Sequence, residues 1–201
     1  MIRHALAAKG EEFTDTHVTG DQWKEIKDVK YGKGTGLPVL VLPDGTYLSQ
    51  SVAILKMVCH EGGFVPKTDL EAYSEKWYFD EYDAWMKADG SMKAIFNGEA
   101  DQAAIDKTAE IFAGHWQKLD DHCNDGRKFF SGDNVTAADF CLLSFSTRIA
   151  HNQSLKCPAL GEKMREAAEK FENIKRILAN IKELPNMAAS VEAAAEMKSF
   201  V

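Results

Sequence analysis

The chain has 201 residues, 45% hydrophobic and 10% aromatic, enough to bury the core of one large domain or two small ones. Its 24 basic residues are scattered among 31 acidic ones for a net charge of -7, which argues against a nucleic-acid partner and for small ligands or proteins. It holds neither an apolar run long enough to span a membrane nor a leader-like start, so the expected location is the cytoplasm.

Residues 1–10 are rich in helix formers and stop at Gly10, which predicts an opening helix. Residues 12–18 alternate loosely as a short strand. Gly20 and Asp21 offer a cap to a short helix over 22–29 that carries Trp23 and Lys27, and residues 31–36, with three glycines, read as a mobile loop. Residues 37–42, Leu-Pro-Val-Leu-Val-Leu, form an apolar strand; Pro43, Asp44 and Gly45 supply a turn, and 46–48 a partner strand. Ser49, Gln50 and Ser51 then precede Val52, Ala53, Ile54, Leu55 and Val58, where the apolar spacing turns helical. Hydroxyls and unpaired amides so gathered suit a carboxylate or phosphate, although a serine at this place can equally be a plain helix cap.

After Gly62, Gly63 and Pro66 the strands end and long helical patterns take over. This predicts an α/β domain over 1–62, a linker over 63–67 and an all-helical domain over 68–201. Thr68 or Asp69 can cap a helix running to about Phe96; Asp101 can cap its partner, in which Ile105, Phe112, Trp116 and Leu119 recur at helical spacing. Val135-Thr136-Ala137-Ala138-Asp139-Phe140 has the form of a capping box with a hydrophobic staple, and opens a helix apolar nearly all round. Residues 159–178 supply one or two further helices, and 186–201 a weakly amphipathic tail. Cys59, Cys123, Cys141 and Cys157 are too dispersed for a disulfide scaffold or a metal site, so reduced thiols and no metal are expected.

The whole layout resembles the cytosolic glutathione transferases, closest to the sigma, mu and pi branch that includes glutathione-dependent prostaglandin D synthases. The likeness is carried by Trp23 with Lys27 four residues on, Leu37-Pro38, and Gln50-Ser51. It implies an α+β fold in which a thioredoxin-like domain precedes a helical bundle. It also implies a cis peptide before Pro38, with the Leu37 backbone turned to the cysteinyl unit of glutathione, and Gln50 and Ser51 at the γ-glutamyl end. Trp23 and Lys27 would hold the glycyl end, and Asp83 on the first long helix, with Asp80 as its rival, would reach a partner's ligand across a homodimer interface. Glutathione enters as co-substrate.

Two departures bear on chemistry. Gly36 stands where the family has a polar residue before Leu-Pro, with Lys33 as a possible replacement. The family's first strand and its thiolate-stabilising tyrosine would fall before Met1, so the sequence reads as a shortened form, and its catalytic residue is unknown. Neither Tyr31 nor Tyr47 is a natural substitute. The reading is conjugation of the glutathione thiolate to hydrophobic electrophiles. The alternatives are a non-catalytic binding or structural member and an isomerase of the prostaglandin D synthase kind.

Overall fold

The computed structural model describes residues 1–87, 101–152 and 156–196. Helix α1 (Ile2–Lys9) ends as the glycine predicted: Gly10 adopts φ 75, and the amides of Gly10 and Glu11 return to the carbonyls of Ala7 and Leu6. The following residues, 11–19, are not a strand. A strand exists only through a ladder to a neighbour, and among the described residues nothing pairs with this segment. Helix α2 (Gly20–Ile26) starts on the residues expected to cap it, and its cap, Thr19, stands one residue earlier. Thr19 forms the box, its hydroxyl accepting from the Gln22 amide at 3.2 Å while its own amide donates to Gln22 Oε1 at 2.8 Å. A π-turn over Lys27–Tyr31 continues α2, so Tyr31 closes a helical turn instead of opening a loop.

The hairpin is present but short. Strand β1 (Leu40–Val41) pairs antiparallel with β2 (Tyr47–Leu48) in the register Leu40↔Leu48. The turn closes through Leu42 and Thr46 at 2.8 Å, with Asp44 Oδ1 accepting the Thr46 amide and Gly45 at φ 87. Helix α3 (Ser51–Glu61) follows and buries Ile54, Leu55, Val58 and Cys59.

The helical part comprises α4 (Asp69–Lys87), α5 (Gln102–His122), α6 (Ala137–Phe145), α7 (Pro158–Ala168), α8 (Glu172–Lys182) and α9 (Met187–Glu196). The stretch of the first long helix expected beyond Lys87 lies outside the described residues, as does the end of the tail beyond Glu196. Asp101 caps α5, as its position predicts, accepting the Ala104 amide at 2.8 Å. Helix α6 is buried along its whole length, as an all-round apolar helix must be. Its Asp139 accepts the Thr136 amide through one carboxylate oxygen and the Phe130 amide through the other, both at 2.8 Å. One hydrophobic cluster runs from Leu6 of α1 and Leu55 of α3 through Tyr78, Phe112 and Trp116 to Phe140, Leu143 and Ile177. The hairpin and α3 are therefore seated on the same core as the bundle.

Candidate functional site

The Leu37–Pro38 peptide is cis, and Leu37 is half exposed. The hairpin register, continued back from Leu40↔Leu48, brings these two residues to the end of the hairpin where Gln50 and Ser51 begin α3. The first backbone bond of α3 runs from the Ile54 amide to the Gln50 carbonyl at 3.0 Å, leaving the preceding amides at the open mouth. No side chain caps this end, and among the described residues the hydroxyls of Ser49 and Ser51 make no hydrogen bond, so the plain-cap reading is not what the structure shows. Gln50 itself sits at φ 73 and ψ 104, a region that residues with a Cβ rarely occupy. A strained residue beside an uncapped helix start suits a carboxylate better than it suits folding.

Trp23 and Lys27 stand one turn apart on α2 and its π-turn. The Trp23 ring stacks on Tyr31 with centroids 5.6 Å apart, and Tyr31 meets Tyr47 of β2 edge-on at 5.4 Å, which ties α2 to the hairpin. The Lys27 ammonium makes no ion pair among the described residues. Asp83 and Asp80 are not drawn into this cluster. Asp83 pairs with Lys87 one turn along α4 at 2.5 Å, Asp80 pairs with Lys76, and all four side chains are largely exposed.

The thiols and the buried tyrosines behave as core. Burial pushes Cys59 and Cys123 up to about 12 and Cys141 up to about 11, so none is a thiolate at neutral pH. Tyr78 is fully buried against Cys141, and desolvation raises its hydroxyl well above the usual phenol range; Tyr82 is raised by the same cause. A separate cavity of about 300 Å³ opens between α1, residues 13–17 and α9, lined by Arg3, His4, Asp15, His17 and Ser190. None of the residues expected to hold glutathione lines it.

Sequence reasoning overlooked two features. Tyr31 and Tyr47 escaped because a contact between residues so separated has no local signal. Glu71 carried one, since Thr68-Asp69-Leu70-Glu71 has capping-box spacing. The Glu71 amide does donate to Thr68 at 3.2 Å, but its buried carboxylate turns away to accept the Lys67, Asp133 and Asn134 amides and Asn134 Nδ2. Gly132, at φ 154, passes so close that a Cβ there would lie 2.8 Å from Glu71 Cγ.

Residues 87–193 match the family model described as the glutathione S-transferase C-terminal domain. The chain belongs to the glutathione S-transferase family. Among curated glutathione S-transferase relatives, S-crystallin 3 of Enteroctopus dofleini is 25% identical over 160 residues, covering 71% of this chain and 73% of that protein. Hematopoietic prostaglandin D synthase of Gallus gallus is 25% identical over 200 residues, covering 96% and 88%. The solved structure of monomeric Na-GST-3, a glutathione S-transferase of Necator americanus, superposes with a TM-score of 0.78 at 21% identity over 98% of this chain and 91% of that one. The glutathione S-transferase fold, a thioredoxin-like unit followed by a helical domain, is therefore that of this chain, with a two-stranded sheet among the described residues.

Proposed function

We propose that the chain binds glutathione at the mouth of α3 and conjugates its thiolate to hydrophobic electrophiles. The observation that carries this reading is the uncapped start of α3, with Gln50 at φ 73 and the Ser51 hydroxyl unengaged at the same end of the hairpin as the cis Leu37–Pro38 peptide. Ser51 and the first amides of α3 receive the γ-glutamyl carboxylate, the Leu37 backbone pairs with the cysteinyl unit, and Trp23 and Lys27 hold the glycyl end. Asp83 completes the site from a second copy of the chain in a homodimer. The α/β domain spans 1–62, and 63–67 link it to the helical domain. In the reaction the bound sulfur forms a bond to an electrophilic carbon while the leaving group departs with its electron pair. Titration calorimetry with glutathione and an aryl-halide conjugation assay test the proposal. Ser51→Ala is expected to weaken binding about tenfold or more, the worth of a hydrogen bond to a charged group. A protein that neither binds glutathione nor conjugates the halide overturns it.

A second reading, a non-catalytic glutathione-binding member of the family, is favoured by one observation. Among the described residues burial pushes up the thiols of Cys59, Cys123 and Cys141 and the hydroxyls of Tyr78 and Tyr82, and none of these is the donor that a thiolate needs. The S-crystallin name of a relative accords with such a role. Binding without any turnover, across a panel that includes an endoperoxide substrate, supports this second reading, whereas turnover abolished by Ser51→Ala rejects it.

A further inference from the structure

We infer that Tyr31 is a positioning residue that holds the Trp23 indole, and with it Lys27, at the glycyl end of the glutathione site; the inference rests on the glutathione reading above. Helix α2 buries none of its residues, so packing into the core does not fix it. What ties its ligand face to the hairpin is a run of three rings. Trp23 stacks on Tyr31 at 5.6 Å with 28° between planes, and Tyr31 stands at 74° to Tyr47, 5.4 Å away on β2.

The backbone is shaped to make this contact. A regular α-helix rises about 12 Å over the eight residues from Trp23 to Tyr31. The first half of that interval is α2 and the second half is the π-turn over Lys27–Tyr31, whose wider winding changes where Tyr31 falls around the helix axis. Gly32 follows at φ 83, where a Cβ would lie 3.6 Å from the Tyr47 hydroxyl, so the chain leaves the turn close against the second tyrosine. Lys27 is the first residue of the turn that Tyr31 ends. The Lys30 ammonium lies 5.2 Å from the Tyr31 centroid on the same element and adds a cation over that ring. Trp23 and Lys27 thus owe their placement to a ring that touches neither the γ-glutamyl end nor the thiol.

Tyr31→Ala and Tyr31→Phe, compared in protein labelled with 5-fluorotryptophan, test this. The chain has four tryptophans, and the Trp23 signal is the fluorine resonance lost in Trp23→Phe. Tyr31→Ala is expected to move that resonance alone and to weaken glutathione binding by about threefold to tenfold, the range of an aromatic pair. Tyr31→Phe keeps the ring and is expected to match the wild type in both readouts. If Tyr31→Ala melts far below the wild type, Tyr31→Leu, which keeps the bulk and removes the stack, takes its place with the same expectation. A Tyr31 variant that moves the Trp23 resonance yet binds glutathione as tightly as the wild type overturns the inference and leaves the proposed function standing. A wild-type protein that binds no glutathione overturns both.

Discussion

Replacing Gln50 by glycine is expected to stabilise the protein while weakening its hold on glutathione. Gln50 is at φ 73 and ψ 104, and its exposed side chain caps nothing. A side chain held in so sparsely populated a region costs about 1–3 kcal/mol, and glycine, with no Cβ, is relieved of most of it. Against that, glycine loosens the unfolded chain by roughly 0.4–1 kcal/mol. The balance is a gain of about 1 kcal/mol, which for a chain of this size raises the melting temperature by about 2–4 °C. Gln50→Ala is the control, because it removes the amide but keeps the Cβ and therefore the strain; its stability is expected to stay within about 0.5 kcal/mol of wild type. Both variants lose the group proposed for the γ-glutamyl end, so calorimetry should show both binding glutathione more weakly. If Gln50→Gly melts below the wild type, the backbone is not strained as described. If it melts higher and binds as well as the wild type, the strain has no connection with the site.

Two further substitutions probe what holds the site in place. Glu71→Gln keeps the shape but turns a carboxylate that accepts four N–H groups into an amide, and is expected to cost about 2–4 kcal/mol in urea denaturation. Burial pulls the Glu71 carboxyl up, but bonds from Lys67, Asn134 and Asp133 outweigh it and leave it below the usual range. Its contribution is thus fully present above the unfolded value of 4.5 and is lost as pH falls through the lower folded value, a loss absent from Glu71→Gln. His115 acts in a higher window: burial lowers it from 6.5 to about 4, so between these values the unfolded chain binds the extra proton and stability rises with pH. Acidification from pH 7 to 5 should cost about 2 kcal/mol through His115, and His115→Gln should lose that much less over the same interval, measured as the difference in urea midpoints.

Local chemistry made most of this fold readable in advance. Gly10 stops α1, Asp101 starts α5 and Thr136 with Asp139 starts α6 because each supplies a bond that a helix end lacks, and such bonds are encoded within a few residues. The change from strand to helix spacing around Gln50-Ser51 was legible for a related reason, whereas the cis peptide before Pro38 was an expectation from the family resemblance, since local spacing read residues 37–42 only as a strand. Residues 12–18 misled because alternation states only that a segment could be a strand. Whether it becomes one depends on a neighbour elsewhere in the chain. The same limit hid the Trp23–Tyr31–Tyr47 contact, and it hid the role of Glu71, whose acceptors are engaged by a loop 62 and 63 residues away.

Magnitudes separate binding from turnover at this site. A glutathione thiol with a pKa of about 8.5 must be lowered by about two units to be largely ionised at neutral pH, which takes roughly 2.7 kcal/mol of preference for the anion. A helix N-terminus contributes about 0.3–1 kcal/mol when exposed, and that of α3 is proposed to face the γ-glutamyl carboxylate at one end of the peptide instead of the central cysteinyl sulfur. Lys27 is proposed to face the glycyl carboxylate. The charges that make the site attractive are thereby neutralised by the ligand's own ends, and little of their field remains for sulfur. A hydroxyl donating directly to the thiolate supplies about 1.5–3 kcal/mol, enough by itself. Ultraviolet titration of the bound thiol therefore decides between the two proposed functions. An apparent pKa near 7 requires a direct donor and goes with conjugation, whereas a value that stays near 8.5 means that Trp23, Lys27, Leu37, Gln50 and Ser51 hold glutathione without activating it.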